Sequence, residues 1–196
     1  MIKVGVVGDI GSGKSHVARL FGCPIFNADD EVNKLYRKSR KCFNKLKKSL
    51  PKYIVSFPVN KNALSQAIIE SNYNLKKIVS IIHPEIKIKM KKFIKKNKNK
   101  KVVVLDIPLL IENKINTKKD ILIFVDASKK EINKRLKKRN NVNLKVIEKF
   151  KKLQLPIELK RKKSNYIIKN NFKNNSIKKN FKIILKKILL NARSNT

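Results

Sequence analysis

The stretch Gly8-Asp9-Ile10-Gly11-Ser12-Gly13-Lys14-Ser15 constrains this chain more than any other. It fits the pattern G-x-x-x-x-G-K-[ST] in the context that pattern needs, after an apolar run from Ile2 to Val7 and before a helix-compatible segment, His16 to Phe21. A triphosphate requires several backbone N–H groups aimed inward together. Glycines at 8, 11 and 13 let the backbone take conformations that a Cβ obstructs and so approach the phosphates closely. The following helix offers its positive end, Lys14 reaches the β- and γ-phosphates, and the Ser15 hydroxyl sits on Mg²⁺. A glycine-rich strand-to-helix turn with a chance lysine is the competing reading; it leaves the flanking strand and helix to coincidence.

At 196 residues and 41% hydrophobic, the chain suits one domain, or one core with inserted lobes, and a real core. With no cationic-then-apolar leader and no apolar run of about 18 residues, a soluble, cytoplasmic protein without membrane association is expected. Cys23 and Cys42 are the only cysteines, without a CxxC pair or a Cys/His cluster, so neither a disulfide framework nor structural zinc is expected.

The net charge of +37 raises the question of nucleic acid. The excess is 43 lysines against 7 arginines, in a chain also rich in Asn and Ile, all three with A/T-rich codons. The lysines run along the whole chain rather than forming one tract interleaved with aromatics. Drift in base composition accounts for that better than a dedicated nucleic-acid surface, so no such partner is expected, although anionic ligands are attracted.

Cys23-Pro24-Ile25-Phe26 reads as a second strand, closing on Asn27-Ala28-Asp29-Asp30 before a helix starting near Glu31. In parallel sheets chemistry gathers at the carboxyl ends of strands, so Asp29 and Asp30 fall near Lys14. One of them could take the proton of an attacking hydroxyl, and either could cap the helix. From Val32 to Ile69 there is no Asp or Glu, and apolar residues recur in a lysine-rich background with a loop near Pro51 to Asn62: a basic helical lobe suited to a phosphorylated substrate. At His83-Pro84 an extended residue and then a helix start are expected. Val102 to Asp106 is the clearest buried strand, and an apolar run closing on an acid is the arrangement that holds Mg²⁺ beside a phosphate loop. Asp120 to Asp126 gives a fourth strand and Tyr166 to Ile168 a fifth, with a terminal amphipathic helix over Asn180 to Leu190. Between them Ser128 to Leu153 is helical in pattern, with Arg135 and Arg139 on one face, either a lid bringing arginines over the nucleotide or a solvated basic helix.

Together these pieces resemble the dephospho-CoA kinases. The resemblance is carried by Gly8 to Ser15, Ala28-Asp29, His83-Pro84-x-Ile86 and the Val104-Leu105-Asp106-Ile107-Pro108-Leu109-Leu110-Ile111-Glu112 segment. Asp126, Arg135 with Arg139, Gln154-Leu155-Pro156-x-Glu158-x-Lys160 and Tyr166-x-Ile168-x-Asn170 add to it. It covers nearly the whole chain, and P-L-L-x-E together with H-P-x-I is its specific part.

The resemblance implies transfer of the ATP γ-phosphate to the ribose 3′-hydroxyl of dephospho-CoA, with Mg²⁺. It implies an α/β fold of P-loop NTPase type, three layers α/β/α with a five-stranded parallel sheet, a helical substrate lobe and a helical lid. The corresponding division is 1–30, 100–127 and 164–196 as core, 31–99 as the CoA-binding lobe and 128–163 as lid. Asp29 matches the family's general base, leaving Asp30 to cap; Lys14 is the other catalytic group. ATP falls to Gly8, Gly11, Ser12, Gly13, Lys14, Ser15, His16 and Arg139, the acceptor to His83, Pro108, Leu109 and Arg135, and the metal to Ser15 and Asp106. Five positions depart from the family pattern: Asn27 for Asp, His16 for Thr, Lys87 for Arg, and Asn165 and Lys169 for Asp. A nucleoside monophosphate kinase and a basic nucleic-acid-binding P-loop NTPase are the alternatives.

Overall fold

A computed structural model describes residues 1–138 and 143–193. The elements are β1 (Ile2–Gly8), α1 (Lys14–Leu20), β2 (Ile25–Asn27), α2 (Ala28–Lys38), α3 (Arg40–Ser49), α4 (Lys61–Glu70), α5 (Asn72–Lys96), β3 (Val102–Asp106), β4 (Ile121–Asp126), α6 (Lys129–Lys137), α7 (Leu144–Lys151), α8 (Ile157–Lys162), β5 (Tyr166–Lys169) and α9 (Asn174–Arg193). They form two compact units, residues 1–27, 97–142 and 153–196 in one, and 28–96 with 143–152 in the other.

The first unit is a five-stranded, all-parallel sheet in the order β2-β3-β1-β4-β5. β1, β3 and β4 read as near-continuous β-branched and apolar runs because helices cover both faces of a parallel sheet. On one face Val4, Val6, Val104, Ile123, Val125 and Ile168 pack with Val17 and Ala18 of α1 and with Ile177, Phe181 and Ile188 of α9. Phe21 meets Phe181 edge-on at 4.8 Å. On the other, Gly5 has no room for a side chain, since a Cβ would come within 2.5 Å of Leu110 and 2.8 Å of Leu122. With β1 central, the loop after it opens at the carboxyl end of the sheet between β3 and β4, where ligands of this architecture bind.

The second unit is helical. α2, α3, α4, α5 and α7 enclose an apolar core that includes Leu35, Phe43, Leu46, Ile68, Ile78, Ile82 and Met90. Asparagine and serine caps set its helix starts: Ser39 accepts from the Cys42 N–H, Asn60 from those of Asn62 and Ala63, and Asn143 from those of Lys145 and Val146.

Four local expectations change. α2 begins at Ala28 rather than near Glu31, so Asp29, Asp30 and Glu31 all lie in its first turn, where carboxylates complement the helix dipole, and Asp30 does not precede the helix as a cap. Pro84 does not start a helix; it lies inside the 25-residue α5, where Leu75, Ile78, Ile82, Ile86 and Met90 bury one continuous stripe. That burial outweighs the one backbone bond a proline removes. α9 starts at Asn174, six residues before Asn180, because Ile177 belongs to the same stripe as Phe181, Ile184 and Ile188. The short helix α8 was not anticipated.

Candidate active site

Three glycines of the phosphate loop take positive φ: 149° at Gly8, 87° at Gly11 and 95° at Gly13. Space as well as torsion requires glycine at two of them. A Cβ on Gly8 would meet the Val125 carbonyl at 2.8 Å, and one on Gly13 would lie 2.4 Å from Asn170 Nδ2. At Gly11 the neighbours are Ile132 and Leu136, so the buried face of α6 closes against the loop. Lys14 Nζ folds back over the loop, donating to the Asp9 carbonyl at 2.8 Å and the Gly8 carbonyl at 3.3 Å. Ser12 is buried, and the Asn170 side chain donates to its carbonyl at 2.8 Å.

Asp106 ends β3 and is 4% exposed. Asn27 stands opposite it in the β2–β3 ladder and donates from Nδ2 to Asp106 Oδ2 at 3.0 Å. An aspartate at 27 would set a second carboxylate there; asparagine makes the contact a neutral-to-anion hydrogen bond. The Asn165 departure is similarly quiet, because its carboxamide oxygen accepts from the Leu122 N–H at 2.8 Å, a bond a carboxylate would also accept.

A cleft of about 170 Å³ opens beside the phosphate loop, lined by His16, Arg19, Arg135, Asn170, Phe172 and Ile177. Arg135, carried on α6, lies over the Phe172 ring at 4.4 Å, a cation–π stack. Arg135 is therefore grouped with His16 and the phosphate loop. Arg139 lies outside the described residues.

Pro108 and Leu109 stand in the turn that follows β3. Leu109 is buried in a left-handed conformation, φ 59°, and two turn bonds hold it: Asn113 N–H to the Leu109 carbonyl and Ile115 N–H to that of Leu110. Glu112 anchors this turn. Its Oε1 accepts from Lys160 Nζ at 2.8 Å and from the Leu155 N–H at 3.1 Å, with both charged side chains nearly fully buried. At the end of β4, Asp126 pairs with Arg161 at 3.1 Å.

In the helical unit Asp29 is exposed in the first turn of α2, two residues after Asn27. Glu31 pairs with Lys34 at 2.6 Å and Lys89 at 3.0 Å, and Glu85 faces Lys41 and Lys45. His83 is half-buried in mid-α5, and burial pushes its imidazole below the usual range, toward the neutral form. Among the described residues no group of three or more His, Cys, Asp or Glu side chains could hold a metal by itself. None of the described helices is long and apolar enough to cross a membrane. Both cysteines are free thiols.

The sequence reading missed Asn170 as a site residue, along with Phe172 and Arg19. Asn170 was visible only as part of the Tyr166-x-Ile168-x-Asn170 pattern, and nothing local indicates that it reaches back 158 positions to Ser12.

The family model described as dephospho-CoA kinase matches residues 2–176. The chain belongs to the dephospho-CoA kinase family. It is 35% identical over 170 residues to the dephospho-CoA kinase of Bartonella quintana and 32% identical to that of a Wolbachia from Brugia malayi, in each case over 84% of this chain and 87% of the relative. Among solved structures, a Thermus thermophilus protein superposes with a TM-score of 0.74 at 25% identity, each chain covered to 97%. The dephospho-CoA kinase from Campylobacter jejuni, at 20% identity and a TM-score of 0.64 over 95% of this chain and 96% of that one, shares the fold. The family is one of ATP-dependent kinases, and the five-stranded parallel sheet with flanking helices is its P-loop fold.

Proposed function

We propose that this chain transfers the γ-phosphate of ATP to the ribose 3′-hydroxyl of dephospho-CoA, giving CoA and ADP, in the cytoplasm. The observation that carries the reading is the extent of the family match, from residue 2 to residue 176, which takes in the phosphate loop, Asp29, Asp106 and the 108–112 turn.

ATP phosphates would replace the Gly8 and Asp9 carbonyls as partners of Lys14, whose ammonium already lies over the loop. The ATP base would enter the cleft of His16, Arg19, Arg135 and Phe172, and Arg135 would then serve the donor as well as, or in place of, the acceptor. Ser15 and Asp106 offer a hydroxyl and a carboxylate, hard oxygen donors of the type Mg²⁺ takes, and so few protein ligands suit an ion that keeps several waters. Bound there, Mg²⁺ would neutralise charge between the β- and γ-phosphates. Asp29 would accept the proton of the attacking hydroxyl, while His83, Pro108 and Leu109 would shape the acceptor pocket; the 31–99 segment would serve the acceptor and 128–163 the lid.

The test is ADP release with ATP, Mg²⁺ and a panel of acceptors, dephospho-CoA among nucleoside monophosphates and shikimate. Turnover confined to dephospho-CoA is expected; a preference for a nucleoside monophosphate would overturn the acceptor assignment. Asp29→Asn should lower kcat by about 100-fold or more, the usual contribution of a general base, with little change in ATP binding. Activity near wild type would remove Asp29 as the base.

A further inference from the structure

Asn170 makes three hydrogen bonds, and together they connect the phosphate loop to the cleft beside it. Its backbone N–H donates to the Asp126 carbonyl at 2.6 Å, continuing the β4–β5 ladder. Its Oδ1 accepts from the Phe172 N–H at 2.8 Å, an Asx-type turn that supports Phe172 at φ 61° under the Arg135 guanidinium. Its Nδ2 donates to the Ser12 carbonyl at 2.8 Å in a fully buried contact. Both ends of the carboxamide are thereby used, and the residue is 4% exposed.

The Ser12 bond bears on anion binding through the geometry of the peptide unit. In a planar trans peptide the C=O and the following N–H point in opposite directions. Holding the Ser12 carbonyl toward Asn170 therefore turns the Gly13 N–H away from Asn170. A phosphate-binding loop works only if its N–H groups face the anion and its carbonyls do not, because a carbonyl dipole turned inward repels phosphate. The Ser12–Gly13 unit has freedom to turn the wrong way, since glycine at 13 removes the steric barrier to rotation. Gly13 is also the residue whose Cβ would collide with Asn170 Nδ2 at 2.4 Å, so glycine and asparagine fit each other at this contact.

We propose that Asn170 is a positioning residue for the triphosphate: its carboxamide fixes the Ser12–Gly13 peptide with the carbonyl outward, and the Phe172 turn ties that orientation to the base cleft. The proposal rests on the nucleotide-binding reading of Gly8 to Ser15 and does not depend on which acceptor is phosphorylated. Asn170 also lines the cleft, but the role proposed here runs through the Ser12–Gly13 peptide and does not require a contact between its carboxamide and ATP.

The test compares the full-length wild type with Asn170→Ala and Asn170→Ser. A serine hydroxyl can still accept from the Phe172 N–H but is too short to reach the Ser12 carbonyl, so Asn170→Ser keeps the turn and loses the loop contact. Calorimetric titrations use three probes: MgATP, inorganic tripolyphosphate and adenosine. Leaving a buried carbonyl without its donor is expected to weaken MgATP and tripolyphosphate by about tenfold in both variants. Adenosine affinity should stay within twofold in Asn170→Ser, and KM for ATP should rise while KM for dephospho-CoA holds.

A lower melting temperature with MgATP and tripolyphosphate affinities unchanged would reduce Asn170 to a structural role. Equal losses for adenosine and tripolyphosphate in Asn170→Ser would make it a base contact instead. If Asn170→Ala does not fold, Asn170→Ser decides the matter by the same readings. Failure of the kinase reading looks different: the wild type would bind tripolyphosphate yet leave dephospho-CoA unphosphorylated, and the Asn170 comparison would still be readable.

Discussion

In the sheet unit, Glu112 and Lys160 meet at 2.8 Å with side chains 9% and 3% exposed; in the helical unit, Lys52 and Glu70 meet at 3.3 Å with side chains 74% and 54% exposed. The contrast extends beyond these pairs. In the sheet unit, polar side chains are bonded and largely withdrawn from water: Asn170 to Ser12 and Asn27 to Asp106 near the phosphate loop, and Lys3 to Asp120 at 2.6 Å at the opposite end of the sheet. The buried residues of the helical unit are apolar, and its charges remain near water. Directional buried bonds fix a geometry and fail badly when one partner is lost, whereas apolar burial is non-directional and tolerates substitution. A loop that must aim backbone N–H groups needs the first kind of support. A lobe held together by packed helices can use the second.

The largest expected effect lies at the loop itself. Lys14→Ala should lower kcat/KM for ATP by about 10³-fold or more, in the range of losses seen when a cationic clamp on a transferred phosphoryl group is removed. Its bonds to the Gly8 and Asp9 carbonyls lie within its own loop, and the expected companion result is a melting temperature within a few degrees of wild type. Steady-state kinetics and a thermal melt on the same preparation check both halves. A variant that loses stability as severely as activity would make Lys14 a structural residue and blur the difference between the two units.

Next comes the buried pair. Glu112→Leu leaves the Lys160 ammonium buried and the Leu155 N–H unbonded, which should reduce stability by about 3–5 kcal/mol in urea unfolding. Glu112→Leu with Lys160→Met removes both charges and should recover most of that loss. Because Glu112 holds the turn containing Pro108 and Leu109, the recovered double variant is still expected to show a raised KM for dephospho-CoA at unchanged KM for ATP. Recovery of stability together with normal acceptor KM would separate the pair from the acceptor. The exposed Lys52–Glu70 contact is the natural control, since surface pairs contribute little.

How much of this was legible beforehand follows the same division. The strands, the phosphate loop and the closing aspartate of β3 could be read from the chain because β-branched runs, glycine spacing and terminal acids are local signals. The Asn170–Ser12 bond and the Glu112–Lys160 pair could not, because each joins positions far apart and depends on which strands are neighbours. At Pro84 the local preference for a helix start yields to the burial of five residues along α5. The start of α2 was misplaced by three residues because Asp29 and Asp30 suit the first turn of a helix as well as its cap. Asn27 and Asn165 looked like departures from a family pattern; in the fold each still makes a hydrogen bond in the place where an acid was expected.

The smallest expected effect is a pH dependence in the helical unit, from His83. Burial lowers its imidazole below the ordinary value near 6.5, with desolvation as the cause and no ion pair involved. Well above pH 6.5 the histidine is neutral in both the folded and unfolded chain, and stability does not depend on its protonation. As pH falls through 6.5 the unfolded chain takes up the proton first, so the folded state loses stability progressively until its own lower pKa is passed. His83→Gln should therefore reduce the drop in urea midpoint between pH 7.5 and 5.5, leaving the value at pH 7.5 nearly unchanged. The sheet unit should not share in this change, because the Glu112–Lys160 pair and the Asn170–Ser12 bond do not involve a histidine. Equal midpoint drops in wild type and His83→Gln would show that protonation of His83 has no influence on the helical unit's stability.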